Sequence, residues 1–266
     1  MPVKLVASDL DGTLLGIDST LSSRTVTAVE AVAASGIEVV AVTGRSHWSS
    51  VEILRPASSI RWIVCSNGAT VYDTEAEAVV HDRPLGEHDV GRIVAELTAA
   101  FPSVGFAWES SAGIFHSERW AANRAATDAR FVAKRSRPTR DLSSDEGPIL
   151  KLMIAHDELS TYEWLDAVSS FVPEGFSAST SGAAFVEVTR GDANKGAALA
   201  HLCDQLGVAR HETIAFGDHS NDVPMLAWAG TAYAMTNADP RVREVADHTA
   251  PPNHEHGVAQ ILERLL

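Results

Sequence analysis

The most constraining stretch of this chain is Val3-Lys-Leu-Val-Ala-Ser-Asp9-Leu-Asp11-Gly12-Thr13. A short apolar run ends in two carboxylates spaced i, i+2, then a glycine and a hydroxyl. The run reads as a buried strand, and side chains at i and i+2 of a strand share a face. Two neighbouring carboxylates are costly unless a cation lies between them. The stretch therefore predicts a strand that ends at a Mg²⁺ site, with one carboxylate free to attack an electrophile.

The rest of the chain gives that strand its neighbours. Ile37–Val42, Trp62–Cys65, Thr213–Phe216 and Ala232–Met235 are apolar runs without alternation, as expected of strands buried on both faces. Helical segments are expected at Thr25–Ala34, Ser46–Leu54, Gly196–Gly207, Asp222–Ala229, Val242–Ala246 and Gly257–Leu265. Val71-Tyr72 and Val79-Val80 suggest a small hairpin. The fold class is α/β: a doubly wound, Rossmann-like and mainly parallel sheet with helices on both faces. Its ligands belong beyond the carboxyl ends of the strands. Between about Pro84 and Val186 the texture changes to that of a separate α/β unit. The expected division is a core of residues 1–83 and 187–266 and an insertion of 84–186.

Composition narrows the function. The 266 residues carry a formal charge of -14, which argues against nucleic acid and anionic membranes as partners. No apolar run reaches the roughly 18 residues of a membrane span. The first strand begins so close to Met1 that no signal peptide is expected. Cys65 and Cys203 lie far apart in apolar surroundings and read as reduced thiols, so a cytoplasmic location is expected. A phosphorylated ligand would be repelled by the net charge, so local cations and amides would have to hold it.

Such groups stand at four predicted strand or loop ends: Asp9/Asp11/Thr13, Thr43-Gly44-Arg45, Asn194-Lys195-Gly196 and Gly217-Asp218-His219-Ser220-Asn221-Asp222. Together they suit phosphoryl transfer. Asp9, Asp218 and the backbone carbonyl of Asp11 are candidate oxygen ligands for Mg²⁺. Asp11 suits a general acid and base. The Thr43 hydroxyl and Gly44 amide can meet phosphate oxygens, and Lys195 can place a cation on the phosphoryl group.

With these motifs in order, the chain resembles a phosphatase of the haloacid dehalogenase superfamily, of the Cof-like branch with a large α/β (type IIB) cap. Asn67-Gly68-Ala69, Ala234-Met-x-Asn237-Ala238, Ala246-Asp247 and Gly257-Val258-Ala259 are also similar to that branch. The resemblance implies Asp9 as nucleophile and Asp11 as acid and base. It implies Mg²⁺ on Asp9, Asp11 and Asp218, and phosphate contacts from Thr43, Gly44 and Lys195 with Asn221 nearby. Asp222 would hold Lys195 or a metal-bound water. It further implies an inserted cap that selects the substrate, a small phosphorylated metabolite such as a sugar phosphate. A phosphomutase and a non-catalytic phosphometabolite sensor are the alternatives. His219 departs from the branch, which often has glycine there.

Other features have blander readings. Arg45 is expected to brace its loop rather than touch substrate. Ser66 and Asn67 either line the site or simply turn the chain. His254-Glu-His256 follows Pro251-Pro252 and reads as loop rather than metal site. The basic run Arg130–Arg140 reads as a solvated face, and Trp108 and Trp120 as core.

Overall fold

The computed structural model describes residues 2–125, 136–138, 147–156, 159–180 and 184–266. The chain forms two compact units, Met1–Asp82 with Ala193–Leu266, and Arg83–Asp192. Its strands, in chain order, are β1 Leu5–Ser8, β2 Glu38–Val42, β3 Trp62–Cys65, β4 Thr70–Asp73, β5 Ala78–Asp82, β6 Gly105–Ser110, β7 Gly113–His116, β8 Ser136–Pro138, β9 Lys151–Ala155, β10 Phe176–Ser179, β11 Val186–Arg190, β12 Thr213–Gly217, β13 Thr231–Met235 and β14 His248–Ala250.

The first unit holds an eight-stranded sheet in the order β14-β13-β12-β1-β2-β3-β4-β5. The six strands from β14 to β3 are parallel, and β4 and β5 close one side as an antiparallel hairpin. β1 is central. Its register sets Ser8 beside Phe216 of β12 and Ala41 of β2. All four residues of β1 are buried, which is why its sequence does not alternate. Sequence neighbours lie on one side of β1 and the late strands on the other, so the order of connection reverses there. That is where a doubly wound sheet opens a crevice at its carboxyl edge.

Helices Ser23–Ala34, His47–Leu54, Lys195–Leu206, Val223–Trp228 and Gly257–Leu262 pack their apolar sides into one core with these strands. The helix expected at Val242–Ala246 is Pro240–Arg243 instead. Asp239 caps it by accepting the Arg241 N–H, and proline occupies its first turn.

The second unit holds a six-stranded sheet in the order β10-β11-β9-β6-β7-β8. Helices Glu87–Ala100 and Thr161–Ser169 place Ile93, Leu97, Trp164 and Val168 in a core with Trp108, Leu152, Ile154 and Val188. Trp164 donates its indole N–H to the Ile154 carbonyl at 3.0 Å. Trp108 is thus core, as its sequence reading held, and Trp120 packs on Phe185 with ring centroids 5.3 Å apart. Most of the basic run Arg130–Arg140 lies outside the described residues.

The expected boundary at residue 187 needs correction. It falls inside β11, which pairs with β9 and β10 of the second sheet. The chain returns to the first unit at Ala193. β11, Val186-Glu-Val-Thr-Arg190, carries no break at residue 187, and the real punctuation is Gly191-Asp192 just after it.

Candidate active site

β1, β2, β3 and β12 are parallel, so the residues that follow them emerge at one sheet edge. Asp9 extends β1 by one step, donating its N–H to the Phe216 carbonyl at 3.0 Å. The chain then makes a wide turn over Leu10–Leu14, in which the N–H of Leu14 reaches the Asp9 carbonyl at 3.2 Å and that of Leu15 reaches Leu10 at 2.9 Å. Each bond spans five residues, the π-type spacing found at functional sites. Gly12 sits in this turn at φ +79°, and a Cβ there would collide with the Asp218 carboxylate. Glycine is the residue that meets both demands.

This turn corrects one sequence inference. Asp11 lies beyond the strand, so the i, i+2 argument for a shared face with Asp9 does not apply. The two carboxylates engage different cations. Asp11 takes Arg45 through both oxygens, at 2.6 Å from Nε and 2.5 Å from Nη2. Asp9 is only 5% exposed and takes the Lys195 ammonium at 2.6 Å.

Lys195 begins the helix Lys195–Leu206, whose start is fixed by the Asn194 side chain accepting from the Ala197 N–H at 2.9 Å. The lysine is 1% exposed and also donates to Asp222 at 2.5 Å. Burial would strip its proton, but the Asp222 and Asp9 carboxylates outweigh that and hold it charged, above the ordinary lysine range. The other oxygen of Asp222 accepts the N–H groups of Asp218 and His219 at 2.9 and 3.0 Å. Asp222 therefore closes its own loop while it anchors Lys195. Thr13 donates its hydroxyl to Asp218 at 3.0 Å.

Asp9, Asp218 and Asp222 each offer an oxygen within 4.8 Å of the others. Three carboxylates thus share one ammonium. The imbalance appears in their protonation: burial and the Asp222 charge push Asp218 up to about 7. Burial also raises Asp9 well above the carboxylate range, against the pull of Lys195. Carboxylates that resist ionising together, with oxygen as the donor set, fit a hard divalent cation. The Asp11 carboxylate is not in this group, and Asp222 is.

Thr43 follows β2, buried, and its hydroxyl accepts the Arg45 N–H at 3.1 Å. Gly44 is the next residue along. Asn221 is buried and donates its amide to Asn67 at 3.0 Å, and among the described residues its Oδ1 is buried without a partner. His219 is half-buried, its Nδ1 3.3 Å from the Ser220 hydroxyl. Among the described residues His254 and His256 join no metal-binding group.

Sequence reasoning missed a strap on the Leu10–Leu14 turn. Asn237 donates to the Gly12 carbonyl at 2.8 Å, Asn253 donates its N–H to Asn237 at 3.1 Å, and the Asn253 amide donates to the Leu15 carbonyl at 2.9 Å. Asparagines after a strand are ordinary turn residues, so only the fold reveals the role.

Comparison with known proteins gives the family. The family model of the haloacid dehalogenase-like hydrolases matches residues 6–262. Phosphatase YwpJ of Bacillus subtilis is 30% identical over 295 residues, covering 99% of this chain and 100% of that one. Pyridoxal phosphate phosphatase YbhA of Escherichia coli is 26% identical over 271 residues, covering 98% of each. The structure of a haloacid dehalogenase-like hydrolase from B. subtilis superposes with a TM-score of 0.86 at 26% identity, over 99% of this chain and 100% of that one.

Proposed function

The chain belongs to the haloacid dehalogenase-like hydrolases and is a phosphatase; on that premise we propose that it is Mg²⁺-dependent and hydrolyses a small phosphorylated metabolite through an aspartyl-phosphate intermediate. The observation that carries this reading is Lys195, buried and 2.6 Å from Asp9, with Asp218 and Asp222 in the same cluster. A sugar phosphate is the proposed substrate class. The E. coli relative named for pyridoxal phosphate shows that small phosphomonoesters of other kinds occur among its kin. We place the enzyme in the cytoplasm, in keeping with Cys65 and Cys203 as buried thiols. Among the described residues no helix is long and apolar enough to cross a membrane.

In this scheme an Asp9 oxygen attacks phosphorus, and the bond to the ester oxygen breaks. Asp11 gives its proton to the departing alkoxide. Water then attacks the aspartyl phosphate and passes a proton back to Asp11, which frees phosphate and restores Asp9. Lys195 places its charge on the phosphoryl oxygens, and Thr43 and Gly44 offer a hydroxyl and an amide. Mg²⁺, held by Asp9, Asp218 and the main-chain carbonyl of Asp11, would supply further positive charge there. Asp222 keeps Lys195 in place. Arg45 engages both Asp11 oxygens, so the pair must part before Asp11 can reach the ester oxygen. The second unit is the proposed selector of the leaving group.

Replacing Asp9 by Asn is expected to abolish phosphate release from p-nitrophenyl phosphate. Retained turnover would overturn the nucleophile assignment. Isomerised sugar phosphate in place of free phosphate would point to a mutase instead.

A further inference from the structure

The turn Ser66–Gly68 follows β3 and has no part in the chemistry above. Its three residues all have positive φ: +53° at Ser66, +59° at Asn67 and +99° at Gly68. A left-handed backbone at serine and asparagine persists only where the surroundings over-determine it. Here they do. The Ser66 N–H donates to the Arg45 carbonyl at 2.9 Å, and the Asn67 N–H to the Thr43 carbonyl at 3.0 Å. Gly68 lies against the main chain of Asn194, whose carbonyl a Cβ would overlap. The Asn67 side chain accepts the Asn221 amide at 3.0 Å. One three-residue turn therefore touches the loop of Thr43 and Arg45, the residue before Lys195, and Asn221.

The Asn221 contact is the telling one. Among the described residues it is the only side-chain hydrogen bond Asn221 makes, and its Oδ1 is buried without a partner. Without the Asn67 oxygen nothing described would fix the rotation of that amide. Asn67 meets two demands at once. It tolerates the left-handed backbone that keeps its N–H on Thr43, and it carries an acceptor that reaches Asn221. Glycine would satisfy only the first.

We propose that Asn67 is a positioning residue of the phosphate site: its main chain sets Thr43, its side-chain oxygen sets the Asn221 amide, and the two are thereby held in register for one phosphoryl group. This rests on the phosphatase reading given above. Asn67 touches neither substrate nor metal and acts through its two partners.

The test is Asn67→Gly in the full chain, which keeps the backbone conformation and removes the acceptor. With p-nitrophenyl phosphate as substrate and inorganic phosphate as competitor, KM and the inhibition constant should rise together by about tenfold, while kcat falls much less. Asn221→Ala should show the same shift, and the double variant should be no worse than Asn221→Ala alone. A purely structural turn behaves differently, because lost stability lowers the active fraction and hence apparent kcat and leaves KM unchanged. Wild-type KM and inhibition constant in Asn67→Gly, or effects that multiply in the double variant, would overturn the proposal. Should Asn67→Gly not accumulate folded, Asn67→Ser, too short to reach Asn221, is read the same way. An Asp9→Asn enzyme that still turns over would fail the chemical scheme, whereas an active wild type with an unaffected Asn67→Gly fails only this inference.

Discussion

Each unit of this molecule buries a lysine between two carboxylates. In the first, Lys195 lies 2.6 Å from Asp9 and 2.5 Å from Asp222. In the second, Lys151 lies 2.7 Å from Glu187 and 3.4 Å from Glu109, and all three are nearly inaccessible. The local chemistry is the same, but the settings differ. Lys151 and its partners sit within regular strands β9, β11 and β6. Asp9 sits where β1 has ended, Asp222 in the short turn after β12 and Lys195 at the start of a helix, beside a further acid, Asp218. A buried ion triad is therefore no sign of a site in itself. Surplus negative charge at a sheet's carboxyl edge is the sign.

That contrast can be broken. Lys195→Ala should cost the most, roughly 10³-fold in kcat/KM, because the proposed scheme places that charge on the transferred group. Phosphate-release kinetics on folded protein measure it. Lys151→Met should instead cost about 3 kcal/mol of unfolding free energy by stranding two buried carboxylates, with turnover per folded molecule near wild type. Replacing Lys151, Glu109 and Glu187 together by Met, Gln and Gln should recover most of that loss in urea titrations. A folded but inactive Lys151→Met enzyme would erase the distinction.

Two smaller effects sharpen it. Mg²⁺ at about 100 times its Kd should stabilise the wild type by about 2.7 kcal/mol, read as a rise in melting temperature. Asp218→Asn should lose that rise and Lys151→Met should keep it. The least effect is alkaline. Burial would lower Lys151, but Glu187 and Glu109 outweigh it and raise the ammonium above its ordinary range. Its contribution is then complete below the unfolded value of about 10.4 and is lost as pH climbs through the folded one. Unfolding free energies measured upward from pH 9 should fall more steeply for wild type than for Lys151→Met.

How much of this was legible beforehand differs by element. β1, β2, β3 and β12 stand out because strands covered on both faces need continuous apolar runs. β10, with the sequence FSAS, and β14, with HTA, went unseen. Both are short edge strands, built mostly of residues with little strand preference. In the site, the acids, the hydroxyl and the lysine were legible as residue types at strand ends. Of their pairings, the resemblance implied only Asp222 with Lys195. That Arg45 takes Asp11 while Lys195 takes Asp9 depends on a turn of five-residue bonds that no periodicity announces. The roles of Asn67 and Asn237 were hidden for the same reason, since each acts across contacts remote in sequence.

The asparagine strap bears on the enzyme's birth. Asn253 is joined to Leu15 across 238 positions. A nascent chain that leaves the ribosome N-terminus first at roughly 5–20 residues per second exposes Asp9 well before the tie on that turn can form, since Asn253 follows Leu15 by 238 positions. The turn should therefore be braced only once Asn253 has been made, and a chain cut short before it would carry Asp9, Asp11, Asp218, Asp222 and Lys195 without that tie.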